Sequence, residues 1–305
     1  MIAIAVDLGG TKIEGALIDD NVNVIKKFRI PTEADLGKDK ILENLESVIS
    51  DLKGEQNDAV GIGISMPGII GSNGEVLFPG GSLSCLKDFE LKKHIEDKFD
   101  LPVVIENDAN CFALAEAMYG AGKNGKVVVG VIWGSGIGGG IVIDGKIFSG
   151  ANSAAGEFGH TVIDASLAEG RKCGCGQSGC WENLASGRAI SEIYQASGGE
   201  IENAVPTEIY ASEEEVAKRV ILDALRYMGL GVAGVIGALN PDVIVFGGGV
   251  SKLPNGVYER IEKDVRRYSI EELTENLEIV RHQISDSAGV VGVAMLVFEE
   301  FKKKR

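Results

Sequence analysis

The 305 residues carry 45 Asp and Glu against 30 Lys and Arg, a formal net charge of −15, with 45% hydrophobic residues. This balance allows a large buried core and, by length, roughly two domains, and it argues against a general nucleic-acid or anionic-membrane surface. The opening Met-Ile-Ala-Ile-Ala-Val run lacks a basic region followed by a cleavage site, and no apolar stretch is expected to span a bilayer. A cytoplasmic protein with no membrane or nucleic-acid partner is expected.

Apolar strand-like runs stop repeatedly at small residues. Ile2 to Val6 precedes Asp7-Leu8-Gly9-Gly10-Thr11-Lys12 and a second strand, Ile13 to Ile18. A helical pattern follows at Lys38 to Leu52, then Val60 to Ile64 before Ser65-Met66-Pro67-Gly68. Val103 to Ile105 reads as a buried strand running through Glu106-Asn107 into a helix, Asp108 to Met118. Val127 to Ile132 leads into the glycine-rich turn Gly134-Ser135-Gly136-Ile137-Gly138-Gly139-Gly140, and a strand from Ile141 to Ile147 turns at Asp144-Gly145. Glu213 to Ala238 reads as a long helix in an interdomain core, with Gly229, Gly231 and Gly234 on it. Val243 to Phe246 ends at Gly247-Gly248-Gly249, and helices follow at Tyr258 to Tyr268 and Ala288 to Lys302.

Strands alternating with helices give an α/β class. Strand, glycine hairpin with a hydroxyl residue (Thr11 or Ser135) and second strand recur at about half the chain length, a weak internal repeat. Two similar halves facing one another would set two phosphate-grasping hairpins across a cleft, which suits a nucleoside triphosphate. A Walker loop is absent, and Gly136-x-Gly138 lies between strands instead of opening a long helix as a dinucleotide fingerprint does.

Two clusters bear chemistry. Asp108 stands near an N-cap position, where it would either cap the helix or accept a proton from a substrate hydroxyl. His160, Cys173, Cys175 and Cys180 have the types and spacing of a tetrahedral zinc site. Four protein ligands leave no open position for water, so the zinc is expected to be structural, locking a loop rich in glycine at Gly170, Gly174, Gly176 and Gly179. A disulfide would leave one of the three thiols over. Cys85 and Cys111 are expected to be buried apolar residues.

Five ordered motifs now carry a resemblance: Asp7-x-Gly-Gly-Thr-Lys12, Glu106-Asn-Asp-Ala-Asn110, Gly134-Ser-Gly-Ile-Gly-Gly-Gly140, Gly156-Glu-Phe-Gly-His160 and Cys173-x-Cys-Gly-x-x-Gly-Cys-x-Glu182. Over nearly its whole length the chain resembles the ROK group of sugar kinases and repressors. The resemblance implies two actin-like, ribonuclease H-like domains flanking a cleft with a zinc-bound loop, residues 1–117 with 288–305 forming the smaller and 118–287 the larger. It implies that Asp108 is the base for a sugar 6-hydroxyl attacking the γ-phosphate of ATP. Asn107, Glu157, His160 and Glu182 match sugar ligands, with Ser65 and Ser82 beside them, and His160 would hold sugar and zinc through different ring nitrogens. Gly9, Gly10, Thr11 and Lys12, with Gly134, Ser135 and Gly136, match phosphate hairpins; Asp7 would hold Mg²⁺, and Gly247, Gly248 and Gly249 would lie beside the adenosine.

Where family hexokinases often carry Asn-Leu-x-x-Trp, this chain reads Ser82-Leu83-Ser84-Cys85-Leu86. Glucose is the first expected substrate, N-acetylmannosamine or N-acetylglucosamine the second. A sugar-responsive repressor would need a helix-turn-helix ahead of the first core strand. Homodimers or larger homo-oligomers are expected from the family.

Overall fold

A computed structural model describes residues 1–71, 73–167, 172–284 and 287–303; Gly170 of the expected zinc loop lies outside them. In chain order the elements are β1 (Ile2–Leu8), β2 (Lys12–Asp19), β3 (Val24–Pro31), α1 (Lys38–Glu55), β4 (Ile62–Met66), β5 (Gly68–Ile70), β6 (Val76–Pro79), α2 (Leu91–Phe99), β7 (Val103–Asn107) and α3 (Asp108–Tyr119). They continue as β8 (Val127–Trp133), β9 (Ile137–Ile143), β10 (Lys146–Ile147), α4 (Trp181–Ala185), α5 (Gly187–Ala196), α6 (Pro206–Ala211), α7 (Glu215–Leu239), β11 (Val243–Gly247), α8 (Gly256–Tyr268), β12 (Glu278–Arg281) and α9 (Ala288–Lys303). The chain divides into two compact units: unit 1 is residues 1–115, 148–155 and 284 onward, and unit 2 is residues 116–147 and 156–283.

Unit 1 is built on a sheet of order β3-β2-β1-β4-β7, antiparallel from β3 to β1 and parallel from β1 to β7. Ile4, Val6, Leu8, Ile13 and Leu17 alternate onto one face and share a core cluster with Leu45, Val48, Ile49 and Leu52 of α1, whose apolar residues recur at helical spacing. The other face is lined by small residues, and α9 lies close against it. A Cβ on Gly63 would come within 2.9 Å of Val293, and one on Gly61 within 2.9 Å of Val297.

Unit 2 repeats the plan with order β10-β9-β8-β11-β12, again two antiparallel pairings followed by two parallel ones. Its core joins Val129, Val131 and Trp133 of β8 to Met228, Val232 and Ile236 of α7 and to Ile261 and Val265 of α8. α7 is thus a core helix within unit 2, correcting the interdomain reading. Gly229 lets α8 approach, since a Cβ there would meet Asp264 at 2.6 Å, and a Cβ on Gly231 would meet the Trp181 ring at 2.2 Å. Against expectation, α7 has the length and composition of a membrane span, but most of its apolar residues lie in this core.

The glycine run after β8 also differs from expectation. The turn is short, and Gly138, Gly139 and Gly140 belong to β9. Gly139 is required there because a Cβ would meet the Phe158 ring at 2.3 Å and the Gly156 carbonyl at 2.6 Å. The β9–β10 turn falls where expected, with Asp144 and Gly145 both at positive φ (50° and 75°), as a two-residue hairpin of this twist requires.

Candidate functional site

In unit 1 the β1–β2 hairpin is tied down from outside. Gly9 N donates to Lys12 O at 3.0 Å, Thr32 N to Thr11 O at 2.9 Å, and Thr32 Oγ1 to Gly9 O at 2.7 Å, while the Thr11 and Lys12 side chains remain exposed. Ser82 lies on a short 3₁₀ turn, Gly81–Leu86, 3.2 Å from where a Gly10 Cβ would stand, which places it against this hairpin. Leu83 and Leu86 of that turn face inward and Cys85 is exposed, contrary to its expected burial; Cys111 is buried as expected.

Asp7 stands within a polar row across the sheet. In register it stands beside Ser65 on β4 and Glu14 on β2, and Glu14 stands beside Arg29 on β3. Ser65 Oγ donates to Asp7 Oδ1 at 2.9 Å, and the first turn of α9 comes so close that a Cβ on Gly289 would lie 2.9 Å from the same oxygen. Burial raises the Asp7 pKa above the ordinary carboxylate value; the Ser65 hydrogen bond opposes this and the neighbouring Glu14 charge adds to it.

At the end of β7 the cap of α3 is Asn107, not Asp108: its Oδ1 accepts from Asn110 N at 3.0 Å while its Nδ2 donates to Gly68 O at 2.8 Å. Asp108 is the first residue of the helix, its Oδ1 accepting from Ala109 N at 2.8 Å. Capping therefore does not explain the carboxylate. Glu106 accepts from Asn107 N (2.8 Å) and Asn110 Nδ2 (3.0 Å), and burial raises its pKa.

In unit 2 the β8–β9 turn is braced by the start of α5. Gly134 N donates to Gly136 O at 3.0 Å, Gly187 N to Gly134 O at 2.8 Å and Arg188 N to Ser135 O at 3.3 Å, and Ser186 Oγ caps α5 by accepting from Ala189 N at 3.2 Å. A Cβ on Gly134 would find nothing closer than Ile132 at 4.0 Å. Gly247 ends β11. Gly248 has φ of 85° and would clash with Trp133 O at 2.5 Å if substituted, whereas Gly249 faces open space.

Glu157, His160 and Glu182 converge in the same unit. His160 Nε2 lies 3.7 Å from Glu157 Oε2, and Nδ1 lies 3.8 Å from Glu182 Oε1 and 3.3 Å from Cys173 Sγ. Burial raises the Glu157 pKa, with His160 opposing. Glu182 Oε2 is 2.9 Å from the Cβ position of Gly136, so the acidic group borders the β8–β9 turn. The ligand atoms of His160, Cys173 and Cys175 all lie within 4.8 Å of one another, and Cys180 Sγ is 3.7 Å from Cys175 Sγ. A tetrahedral zinc with bonds of about 2.0 to 2.3 Å needs ligand atoms about 3.5 to 3.8 Å apart, so His160, Cys173 and Cys175 form a possible metal-holding group with Cys180 beside Cys175. Sequence reasoning missed Glu14 and Arg188. Glu14 was findable: a hairpin closed by Leu8 and Ile13 sets Asp7 opposite residue 14. Arg188, with Nη2 4.0 Å from Glu182 Oε1, had no local signal.

Residues 3–300 match the ROK family. The chain is 32% identical to a glucokinase of Halalkalibacterium halodurans, covering 97% of this chain and 95% of that one, and 33% identical to an N-acetyl-D-glucosamine kinase of Photobacterium profundum, covering 95% and 97%. The crystal structure of a ROK family glucokinase from Streptomyces griseus in complex with glucose and AMPPNP superposes with a TM-score of 0.83, 30% identity, and coverage of 98% of this chain and 100% of that one. With its motifs, its two repeated sheets and its similarity to these proteins along nearly its whole length, the chain belongs to the ROK family.

Proposed function

We propose that this protein is an ATP-dependent hexose kinase that transfers the γ-phosphate of ATP to the 6-hydroxyl of an aldohexose, glucose first. The observation that carries the reading is the juxtaposition in unit 2 of Glu157, His160 and Glu182 with the Gly134–Gly136 turn, which sets polyol-binding acceptors beside amides suited to phosphate. The relatives named above are sugar kinases. A cytoplasmic setting, where ATP is made, accompanies this reading.

Each residue then has a part. Asp108 accepts the 6-hydroxyl proton as that oxygen attacks the γ-phosphorus and ADP leaves. Its fixed place at the start of α3 suits it to orient the attacking oxygen. Asn107, Glu157, His160 and Glu182 hold the sugar hydroxyls, with Ser65 and Ser82 at its margin. Gly9, Gly10, Thr11 and Lys12 in unit 1, and Gly134, Ser135 and Gly136 in unit 2, supply amides, hydroxyls and an ammonium for the phosphates, and Gly247, Gly248 and Gly249 leave room for the adenosine. Asp7 would hold Mg²⁺, whose chemistry when bound is to neutralise phosphate charge; a buried carboxylate with a hydroxyl neighbour suits one shared with phosphate oxygens. His160 Nδ1, Cys173, Cys175 and Cys180 would hold zinc, leaving His160 Nε2 on the Glu157 side for sugar.

A second reading, an N-acetylhexosamine kinase, is favoured by Ser82, a small exposed residue where family hexokinases often have Asn. Coupled ADP release with Mg-ATP, comparing kcat/KM for glucose, mannose, N-acetylglucosamine and N-acetylmannosamine, tests both. Preference for an N-acetyl sugar replaces the first reading by the second, and no turnover on any of the four sinks both.

A further inference from the structure

The polar row Ser65, Asp7, Glu14 and Arg29 crosses four adjacent strands on the face that receives α9. Directly opposed residues on neighbouring strands have Cβ atoms about 4.5 to 5.5 Å apart, so the Asp7 and Glu14 carboxyl groups are neighbours. Glu14 is 2% exposed. Arg29 reaches it through Nε and engages Oε2. Its other oxygen, Oε1, is buried and has no hydrogen-bond partner among the described residues. Lys27, the next residue on that face of β3, directs its ammonium to Ser287 Oγ at 2.8 Å. Two adjoining carboxylates thus share the Arg29 guanidinium, and the Lys12 charge also acts on Asp7 from the neighbouring turn.

A buried carboxylate oxygen without a donor is costly, and a role limited to pairing with Arg29 would be better met by engaging both oxygens. We propose that Glu14 is a second carboxylate of the cation site headed by Asp7, its Oε1 accepting a hydrogen bond from a water on the divalent cation that accompanies the nucleotide. The proposal rests on the kinase reading. Divalent magnesium keeps most of its waters and binds proteins through one or two carboxylates plus phosphate, so a role at one remove, through water, is the natural one for the neighbour of Asp7. Glu14 is a positioning residue here: it acts on the cation's water and does not touch the reacting atoms.

Mn²⁺ serves as the probe, its free concentration read by electron paramagnetic resonance with saturating ADP, for the wild type, Glu14→Gln and Arg29→Gln. Glu14→Gln keeps the shape and should weaken Mn²⁺ binding about tenfold with sugar affinity unchanged. Arg29→Gln, which frees the carboxylate from its competing cation, should leave Mn²⁺ binding unchanged or tighten it severalfold. Equal Mn²⁺ affinity in all three proteins, with similar losses of thermal stability in both variants, would mean a structural ion pair and overturns the proposal. Weakening by Arg29→Gln also overturns it, even if Glu14→Gln fails to fold. A wild type that binds no Mn²⁺ with ADP overturns the kinase reading as well.

Discussion

The two sheets have the same strand order, yet their strand ends are furnished in opposite ways. Asp7 pairs with Ser65 in unit 1, whereas at the corresponding place in unit 2 Ile132 pairs with Gly247. β7 runs out through Glu106, Asn107 and Asp108, while its counterpart β12 ends at Arg281, a residue stacked 5.1 Å from the Tyr258 ring. One sheet offers carboxylates and a hydroxyl; the other offers bare backbone and space. The shared scaffold settles where a group stands, and the residue placed there settles what it can do.

The sharpest test of this division is Asp108→Asn, which keeps the helix start and removes the base. Turnover should fall about 10²- to 10⁴-fold with sugar affinity little changed, measured by steady-state kinetics and calorimetry; near-normal turnover would remove Asp108 from the chemistry. Next comes a matched pair at equivalent positions. Asp7→Asn should lower kcat/KM for Mg-ATP by about a hundredfold, while Ile132→Val changes it by less than about threefold. Similar losses in both would mean that the position matters through packing alone.

Cys175→Ser should release metal and raise the sugar KM by about tenfold with the ATP KM within about twofold, since the cluster adjoins Glu182 and His160. Metal content and both KM values check it, and an effect confined to ATP would show the loop to be misassigned. Two glycines of unit 2 separate space for a ligand from space for a neighbour. Gly139→Ala, forced against Phe158 and Gly156, should cost about 1–3 kcal/mol of stability. Gly134→Ala, with open room around it, should melt like the wild type and bind ATP less well.

The smallest effect concerns Glu106. Its folded pKa is raised by burial above the ordinary 4.5, so between the unfolded and folded values the native state holds more protons and stability falls as pH rises. The penalty is complete above the folded value. Glu106→Gln should therefore raise Tm by about one or two degrees at pH 7 and leave it unchanged at pH 4. A destabilised variant at pH 7 would mean that the charge is needed by Asn107 and Asn110.

Much of this was legible in the chain. β-branched runs stopping at glycine marked β1, β4, β8 and β11, and apolar residues at helical spacing located α1, α3, α7, α8 and α9 to within a few residues at each end. What escaped has physical reasons. β3 is exposed on most of its length and interrupted by Lys26, Lys27 and Arg29, α2 and α4 to α6 are short, and β12 has only four residues, so none carries a clear periodic signal. Gly138 to Gly140 looked like a turn because the demand for absent side chains comes from Phe158 and Gly156, distant in sequence. The candidate site residues stood out through their motifs, but the cap role of Asn107 and the bracing of Ser135 by Arg188 depend on geometry that spacing does not contain.

The close seat of α9 on the small-residue face of unit 1 also bears on how the protein is made. β1 is translated ahead of unit 2, but the helix that covers one of its faces is synthesised only after all of unit 2. During synthesis the Gly61, Gly63 and Asp7 surface stays open to other apolar partners while unit 2 can already close its own core. The half of the molecule that emerges first is thus the last to be finished, and the interval between the two is when it most needs a chaperone.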